Sequence, residues 1–319
     1  MKVKNISVVN TKISLVIPCF NEEEVLVEFY SRAYKVFHDK DYSYEFIFID
    51  DGSKDSTSSI LRQLCKENTN CKALILSRNF GHQNAVSAGL AFSEGDAVVI
   101  IDADLQDPPE LIPQMINLWV DGNEVVYGQR IKRKGETFFK KITAKYFYIL
   151  LNKLSDVFIP KDTGDFRLID RKVIEVFNEM PEKEKFIRGI ISWIGFNQIA
   201  FQYERDERYA GESKYPLKKM ITFALNGILS FSSKPLKISY YLGLFASILS
   251  MVGIFYVIYL RIFTSIWLEG WTTTIIAILF LGGTQLISLG ILGEYISRLF
   301  TQSKNRPTYI IKEGLNINE

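Results

Sequence analysis

Two aspartates separated by a single residue, Asp102 and Asp104, are the strongest chemical signal in the sequence. They directly follow the apolar run Val98–Ile101, which is typical of a buried strand, and Gln106 lies two residues further on. Carboxylates placed so closely at a strand exit can bind one hard divalent cation, whose other ligands are commonly water and substrate phosphate oxygens. The pattern therefore predicts a Mg²⁺ or Mn²⁺ site.

Polar clusters also follow the three preceding β-rich runs. Together with the aspartate pair they occupy residues 18–23, 50–55, 78–81 and 102–106. Each cluster taken alone is typical of an ordinary turn or helix cap. In open parallel sheets, however, ligands bind outside the carboxyl ends of the strands. Four polar strand ends in succession therefore predict a single ligand site.

Short β-rich runs alternate with amphipathic stretches of helical period, which is typical of a mostly parallel sheet flanked by helices. Helices are expected over Glu22–His38 and Asp55–Glu67. The expected strands are Ser14–Pro18, Tyr44–Ile49, Ala73–Ser77, Ala97–Ile101 and Glu124–Tyr127. The first two thirds of the chain are therefore predicted to form an α/β domain of the nucleotide-binding type.

Two long segments without charged residues follow this domain. Residues 238–260 number 23 and residues 270–293 number 24. Either segment, as a helix, would be about 35 Å long, enough to cross a hydrocarbon core of about 30 Å. The loop between them is short, so we expect an antiparallel transmembrane hairpin. A pair of buried core helices is disfavoured, because soluble domains seldom need two such runs in succession.

The charges around the hairpin predict its orientation. Lys234 and Lys237 precede it, and Arg298, Lys304 and Arg306 follow it, whereas the connecting loop holds one Arg and one Glu. Under the positive-inside rule both ends face the cytoplasm. No signal peptide is expected, because the apolar run near the start is too short. We therefore expect a multi-pass protein of the inner (cytoplasmic) membrane, with the α/β domain in the cytosol.

Composition excludes several functional classes. Hydrophobic residues make up 47% of the 319 residues and charged residues 23%, which is incompatible with a disordered chain. A net charge of +2, from 38 Lys and Arg against 36 Asp and Glu, argues against nucleic acid as the main partner. Three cysteines without a CxxC pair, and only two histidines, disfavour a disulfide framework and a Cys/His zinc site.

The motifs resemble those of the inverting family-2 glycosyltransferases of GT-A fold, specifically the polyprenyl-phosphate glycosyltransferases. The resemblance covers nearly the whole chain and includes the terminal hairpin found in the bactoprenol glucosyltransferase branch. Dolichol-phosphate-mannose synthases are also similar. The matching segments are residues 16–23, 50–57, 77–81 with Ala85 and Gly89, 102–110, 163–168 and 208–215.

This resemblance implies a role for each matching residue. Asp165 and Asp104 would be catalytic, and the metal would be held by Asp102, Asp104 and Gln106. The nucleotide-sugar donor would be bound by Pro18, Phe20, Glu22, Asp50, Asp51, Arg78, Asp102 and Ala103. Phosphate groups of the donor or the acceptor would be bound by Arg130, Arg133, Arg208 and Lys214.

The resemblance also implies a reaction, the inverting transfer of a hexose from a nucleotide-diphospho-sugar, UDP-linked in the branch that looks closest, to polyprenyl (undecaprenyl) phosphate. A phosphate monoester is already largely dianionic at neutral pH, so Asp165 either removes a proton or orients the acceptor. Two alternatives stay open: a saccharide-extending polysaccharide synthase and a non-catalytic membrane scaffold. The residues do not identify the sugar.

The chain is expected to divide into four parts. These are a cytoplasmic glycosyltransferase domain at 1–212, a basic membrane-interface segment at 213–237, two transmembrane helices within 238–296, and a cytoplasmic tail at 297–319. Small residues four apart, Gly243 with Ser247 and Thr284 with Ser288, permit close helix contact. A homo-oligomer is therefore a further expectation.

Overall fold

The computed structural model describes residues 11–38, 40, 42–131, 160, 163–183, 185–204, 232–263 and 270–317. The strands are β1 Lys12–Cys19, β2 Ser43–Asp50, β3 Cys71–Leu76, β4 Ala97–Ile100, β5 Val125–Arg130, β6 Thr163–Asp170, β7 Gln198–Tyr203 and β8 Ile311–Leu315. The helices are α1 Leu26–Phe37, α2 Thr57–Glu67, α3 His82–Phe92, α4 Ile112–Val120, α5 Arg171–Glu179, α6 Ile187–Ile194, α7 Lys234–Phe263 and α8 Trp271–Ser303.

All eight strands form one sheet in the order β7-β5-β6-β4-β1-β2-β3-β8. The central strands β4, β1, β2 and β3 run parallel to one another, and so do β5 and β7. β6 is antiparallel to both β4 and β5, and β8 is antiparallel to β3. The predicted mostly parallel sheet is therefore confirmed, with antiparallel strands added on both sides of its centre.

The sheet is covered on both faces, which explains why its central strands are continuously apolar. Alternate residues of one strand point to opposite faces. Leu15 and Phe48 pack into the layer of α1, α2 and α4, whereas Val16 and Ile49 pack into the layer of α3, α5 and α6. A strand with two covered faces has no polar side, so its sequence lacks the alternation of a half-exposed strand.

Helix α1 begins at Leu26, four residues later than the expected start at Glu22. The backbone N–H of Glu22 donates to Thr57 Oγ1 at 2.9 Å, and that of Glu23 donates to Asp55 Oδ2 at 3.2 Å. These bonds to a neighbouring loop hold the first glutamates outside the helix. The acidic residues that suggested a helix start belong to a loop–loop contact instead.

Strand β8 lies within the segment expected to be a separate cytoplasmic tail. It pairs with β3, and the side chain of Glu313 forms an ion pair of 2.8 Å with Arg62. Asn316 Nδ2 donates to the carbonyl oxygens of Cys65 and Cys71 at 2.6 and 2.8 Å. The end of the chain is thus part of the sheet. Its sequence, with two charges and a glycine in five residues, gives little strand signal without the partner strand.

Helices α7 and α8 differ from the other helices because their apolar side chains are mostly exposed. Both are long and apolar enough to cross a membrane, and almost none of their residues is buried in the protein. A core helix of a soluble domain would bury these side chains, so the alternative of core helices is excluded for this pair. The exposed surface has the character of membrane-spanning helices.

Both ends of the hairpin lie at the sheet edge where the parallel strands end. Gln302 near the end of α8 accepts from the Lys183 N–H at 2.9 Å and donates to the Pro181 carbonyl at 2.7 Å. Tyr295 donates to the carbonyl of Ser232, just before α7, at 2.7 Å. The chain then enters β8 beside the end of β3, where the Ser77 N–H donates to Ile310 O. The apolar helices therefore leave the α/β domain from this edge.

A buried carboxylate near the opposite edge predicts how the domain responds to acid. Glu45 on β2 is 2% exposed and lies 2.9 Å from both Lys12 Nζ and Lys72 Nζ. It also accepts from Ser14 Oγ at 2.5 Å and from the Glu94 N–H at 2.8 Å. Burial alone would raise the pKa of Glu45, but these donors and charges outweigh it and hold the pKa at about 2.

We expect acid to destabilise the domain through this group. Its contribution is complete above the unfolded-state pKa near 4.5 and is lost as the pH falls towards 2. The difference corresponds to about 3 kcal/mol of unfolding free energy, at about 1.4 kcal/mol per pKa unit. Denaturant unfolding of Glu45→Gln at several pH values should lack most of this pH dependence. Glu110→Gln, which loses only an exposed ion pair with Arg32, is the control and should change stability by about 1 kcal/mol or less.

The position of β8 predicts that a chain ending at Ser303 is destabilised although both long helices are kept. Tyr309, Ile311 and Ile317 pack against the core layer beneath α3 and α5. Full burial of a large apolar side chain contributes about 1.5–3 kcal/mol, and each of these partly buried side chains contributes a part of that. Thermal unfolding in detergent should show a clear loss for removal of 304–319 and little change for removal of 318–319. Equal stability of the two chains would mean that β8 is not part of the folding unit.

Candidate functional site

The loops after β1 and β2 are bound to each other at the edge where the hairpin leaves. The Asn21 N–H donates to Ser53 Oγ at 2.9 Å, and the Lys54 N–H donates to Asn21 Oδ1 at 2.9 Å. The Ser56 N–H donates to Glu23 Oε2 at 2.8 Å. Many polar residues of these two motifs therefore stabilise one another, and the two loops form one side of the site.

The two aspartates that follow β2 also build loops. Asp50 is fully buried and accepts from the Ser53 N–H at 2.8 Å and from the Ser58 hydroxyl. Asp51 is buried as well, and its oxygens accept from the N–H groups of Phe80 and Gly81 at 2.7 and 2.9 Å. Asp51 thereby fixes the loop that leads into α3. A direct contact between either carboxylate and a nucleotide stays a prediction.

A glycine is required where these loops meet. Gly52 has a φ of +70°, and a Cβ atom there would lie 2.5 Å from the backbone carbonyl carbon of Arg78. Both the left-handed conformation and the close approach exclude larger residues.

The remaining residues predicted to bind the donor lie in or next to the loops after β1, β3 and β4. Pro18 and Ala103 are buried, and Phe20 and Glu22 are partly buried. Arg78 is exposed, with its guanidinium 4.1 Å from the centre of the Phe80 ring and one N–H donated to the Asn79 carbonyl. Pro18 and Ala103 can therefore offer a donor little beyond their backbone atoms, and Arg78 lies on the exposed surface.

The aspartate pair lies directly beyond β4, as the sequence predicts. Asp102 is 30% exposed and Asp104 is 8% exposed, and Asp104 Oδ1 accepts from the Gln106 N–H at 3.2 Å. Burial and the nearby charges of Asp165, Asp104 and Asp107 raise the pKa of Asp102 to about 6, although His82 opposes the shift. This edge of the sheet therefore brings several carboxylates together around Asp102.

These residues fit a divalent cation. Asp102 and Asp104 are close enough for the charge of Asp104 to affect Asp102, and with Gln106 two residues further on they would offer oxygen ligands to a cation. Within the described ranges no group of three His, Cys, Asp or Glu side chains forms a complete metal site. A pair of carboxylates without a third such ligand suits a metal that takes its other ligands from a bound diphosphate.

Asp165 joins this cluster because of the strand register. β6 runs antiparallel to β4 with Ile100 opposite Arg167, so Asp165 lies beside the position that Asp102 takes just past β4. A nearby imidazole completes the contact, since His82 Nε2 lies 3.2 Å from Asp165 Oδ2 and 3.8 Å from Asp102 Oδ1. The structure therefore brings together two carboxylates that are 63 residues apart in the sequence.

Two cations of this cluster were not singled out from the sequence. His82 begins α3, and although burial lowers its pKa, the charges of Asp102 and Asp165 outweigh this and raise it to about 9. Arg188 on α6 donates from Nε and Nη2 to the two oxygens of Asp165 at 2.7 and 2.9 Å. The available signal for Arg188 was a lone charge in the apolar run Phe186–Gly195.

Arg130, predicted to contact phosphate, lies at the end of β5 in a separate network. Its Nη2 is 3.6 Å from Asp107 Oδ2, and its Nε donates to Tyr203 Oη at 3.4 Å. Tyr203 also donates to Asp107. A Cβ atom on Gly164 would collide with the Arg130 guanidinium, so this glycine leaves room for it. Arg133, Arg208, Lys214 and residues 213–231 of the membrane-interface segment lie outside the described residues.

Comparison with known proteins agrees with this arrangement. The family described as glycosyl transferase family 2 matches residues 14–177, and the GtrB C-terminal hairpin matches residues 234–299. The uncharacterized glycosyltransferase YkcC of Bacillus subtilis (strain 168) is 49% identical over 95% of this chain and 94% of its own. The SfII prophage-derived bactoprenol glucosyl transferase of Shigella flexneri is 45% identical over 95% of this chain and 98% of its own.

Among solved structures, the mannosyltransferase PcManGT of Pyrobaculum calidifontis in complex with GDP-Man and Mn²⁺ is similar with a TM-score of 0.46 and 14% identity, over 88% of this chain and 87% of its own. The sequence matches span both parts of the molecule, the sheet with its acidic edge and the long apolar helices. This chain belongs to glycosyl transferase family 2, and it is a GT-A glycosyltransferase with a GtrB-type C-terminal hairpin.

Proposed function

We propose that this enzyme transfers a hexose from a nucleotide-diphospho-sugar, with UDP-glucose as the first donor to test, to polyprenyl phosphate such as undecaprenyl phosphate. The product is a polyprenyl-phosphate-sugar of inverted anomeric configuration. One observation carries the proposal: the acidic edge of the sheet is also the edge from which the apolar hairpin leaves. Similarity to bactoprenol glucosyl transferases at 45% identity over 95% of the chain supports the same acceptor.

The chemistry of the acceptor explains why the acidic edge and the hairpin should lie at the same end of the sheet. A polyprenyl phosphate has its chain in the bilayer and its phosphate at the surface, so the enzyme must bring its site to that surface. The contact of Gln302 with residues 181–183 and the entry of β8 beside Ser77 hold the hairpin at the edge that contains Asp102 and Asp165. A soluble sugar acceptor would require no such arrangement.

The donor half of the reaction uses the aspartate pair. Asp102 and Asp104, with Gln106, would hold Mg²⁺ or Mn²⁺ against the two phosphates of the nucleotide. The bound cation would neutralise the diphosphate as it leaves the sugar. The protein contributes a rigid frame, because Asp51 and the bound loops after β1 and β2 fix the walls of the site before the donor arrives.

The acceptor half is a single in-line displacement. An oxygen of the acceptor phosphate bonds to the anomeric carbon while the bond from that carbon to the nucleotide oxygen breaks. The acceptor is already largely dianionic at neutral pH, so no proton has to be removed. Asp165, whose pKa burial would raise but the Arg188 charge and hydrogen bonds hold well below its usual range, is suited to orienting groups and is a weak base.

The proposed location follows from the same edge. The two helices would cross the inner membrane with both ends in the cytosol, and the basic residues Lys234, Lys237, Lys304 and Arg306 would lie at the cytosolic surface. The nucleotide sugar would then come from the cytosol. A homo-oligomer stays a prediction. It is supported by Gly243 on α7, which faces open space in the single chain and could accept a second helix.

The first test is a panel of nucleotide sugars. Purified full-length protein in detergent, with undecaprenyl phosphate and Mg²⁺ or Mn²⁺, should convert one donor to a lipid-linked sugar detectable by mass spectrometry. A chelator should abolish the product. Asp102→Ala should reduce turnover by at least about 10³-fold, because the leaving group loses its cation, whereas Asp165→Asn should reduce it less at saturating donor.

The controls separate this reaction from its alternatives. Lys72→Gln changes a charged residue at the opposite edge of the sheet and should leave turnover close to that of the wild type. Release of nucleotide only when a sugar acceptor is added, with no lipid product from any donor, would favour a saccharide-extending synthase. Absence of metal-dependent donor binding would favour a scaffold. Equal losses in Asp102→Ala and Asp165→Asn would contradict the role given to Asp165.

A further inference from the structure

The ion pair between Asp165 and Arg188 is held by hydrogen bonds to both oxygens of the carboxylate. Arg188 donates to both oxygens of Asp165, and its Nη1 donates to the Thr163 carbonyl at 3.2 Å. All three bonds lead to β6, so the guanidinium is aligned along the strand that carries Asp165. Paired, parallel N–H···O bonds of this kind fix both the direction and the distance of a carboxylate.

We propose that Arg188 is a positioning residue for the acceptor step: it holds Asp165 in place and cancels its charge, so that a dianionic phosphate can approach the anomeric carbon. The inference rests on the proposed function, because it assumes a phosphate acceptor. It assigns a role to a residue outside all the motifs that carry the family resemblance.

Charge at the site gives the physical reason. A phosphate dianion that attacks the sugar must come close to the acidic edge formed by Asp102, Asp104 and Asp165. The first two are suited to a cation and a diphosphate, but Asp165 lies across from them on a neighbouring strand. Since Asp165 is only 8% exposed, water screens its charge poorly. Without Arg188, Asp165 would keep His82 as a positive neighbour but would lose the guanidinium bonded to both of its oxygens, and it would repel the acceptor more strongly.

The fold holds Arg188 in the required place before any ligand binds. Ile187, Ile190 and Ile191 around it are buried in the layer beneath α3 and α5, and Phe186 is buried as well. The Ile187 N–H donates to Gln83 Oε1 at 3.0 Å, which ties the start of α6 to the start of α3. His82, the other cation beside Asp165, is the neighbour of Gln83 on α3. The two positive groups are therefore fixed by one helix contact.

The alternative is that the pair only stabilises the fold, as many half-buried ion pairs do. The two explanations differ in what happens when both partners are removed. If Arg188 acts by cancelling the charge of Asp165, then removal of that charge makes Arg188 less necessary. If the pair is only structural, the second substitution brings no recovery of acceptor binding.

The experiment is a double-mutant cycle on the full-length protein with undecaprenyl phosphate and the active donor. The variants are Arg188→Gln, Arg188→Lys, Asp165→Asn and the double variant Asp165→Asn/Arg188→Gln. We expect Arg188→Gln to raise KM for the lipid phosphate at least about tenfold, and Arg188→Lys to raise it less, because the charge is kept. The double variant should return to within about threefold of Asp165→Asn alone.

The affinity for the donor separates the two explanations, because a merely structural defect would weaken donor binding as well. The Kd of the nucleotide sugar with Mn²⁺ should change by less than about twofold in Arg188→Gln, because the cation and diphosphate lie at Asp102 and Asp104. The matched control is Arg171→Gln, which removes a half-buried arginine bonded to the Gly95 carbonyl at the opposite edge. Its KM for the lipid phosphate should stay at the wild-type value.

Several results would overturn the inference. These are independent, multiplicative effects of the two substitutions on KM, an equal loss of donor and acceptor affinity in Arg188→Gln, and complete loss of turnover in Asp165→Asn. If Arg188→Gln fails to fold, Arg188→Lys decides, and an unchanged acceptor KM with lowered thermal stability would then count against the proposal. A wild-type protein that makes no lipid-linked sugar would overturn the proposed function as well, whereas the other results leave that function intact.

Discussion

Negative charge gathered at one end of a sheet has to be compensated, because burying an unpaired carboxylate costs far more than ordinary packing can offset. In this enzyme Asp165 is compensated by Arg188 and His82, and Asp107 by Tyr203 and Arg130. Burial, together with the neighbouring carboxylates, raises the pKa of Asp102 to about 6, although His82 opposes the shift. The start of α3 with His82 and α6 with Arg188 both meet this requirement at Asp165.

The same edge connects the enzyme to its hairpin. Gln302 contacts the loop before α6, and β8 pairs with β3, so the end of α8 is fixed to the sheet. Tyr295 in turn joins α8 to the residue before α7. The hairpin is therefore an insertion between two strands of one sheet, held at both ends. This arrangement fixes the end of α8 against the edge of the sheet where the parallel strands end.

Several motif residues have structural tasks as well as any chemical ones. Asp50 and Asp51 bind backbone N–H groups of their own and neighbouring loops, and Asn21 links the loops after β1 and β2. These motif residues therefore stabilise the loops themselves. The residues available for ligand chemistry are correspondingly fewer than the motifs suggest, and the aspartate pair and Asp165 stand out among them.

Local pattern was sufficient for the α/β class, the five strands of the first half, the apolar helices and the place of the Asp-x-Asp pair just past a strand, because hydrophobic period and strand-end polarity are properties of neighbouring residues. It was insufficient for β6, β7 and β8, whose short or charged sequences become strands only against a partner strand. It also missed His82 and Arg188, since a single basic residue carries no periodic signal. Their contact with Asp165 arises when antiparallel β6 brings residue 165 beside residue 102, a register that folding alone creates.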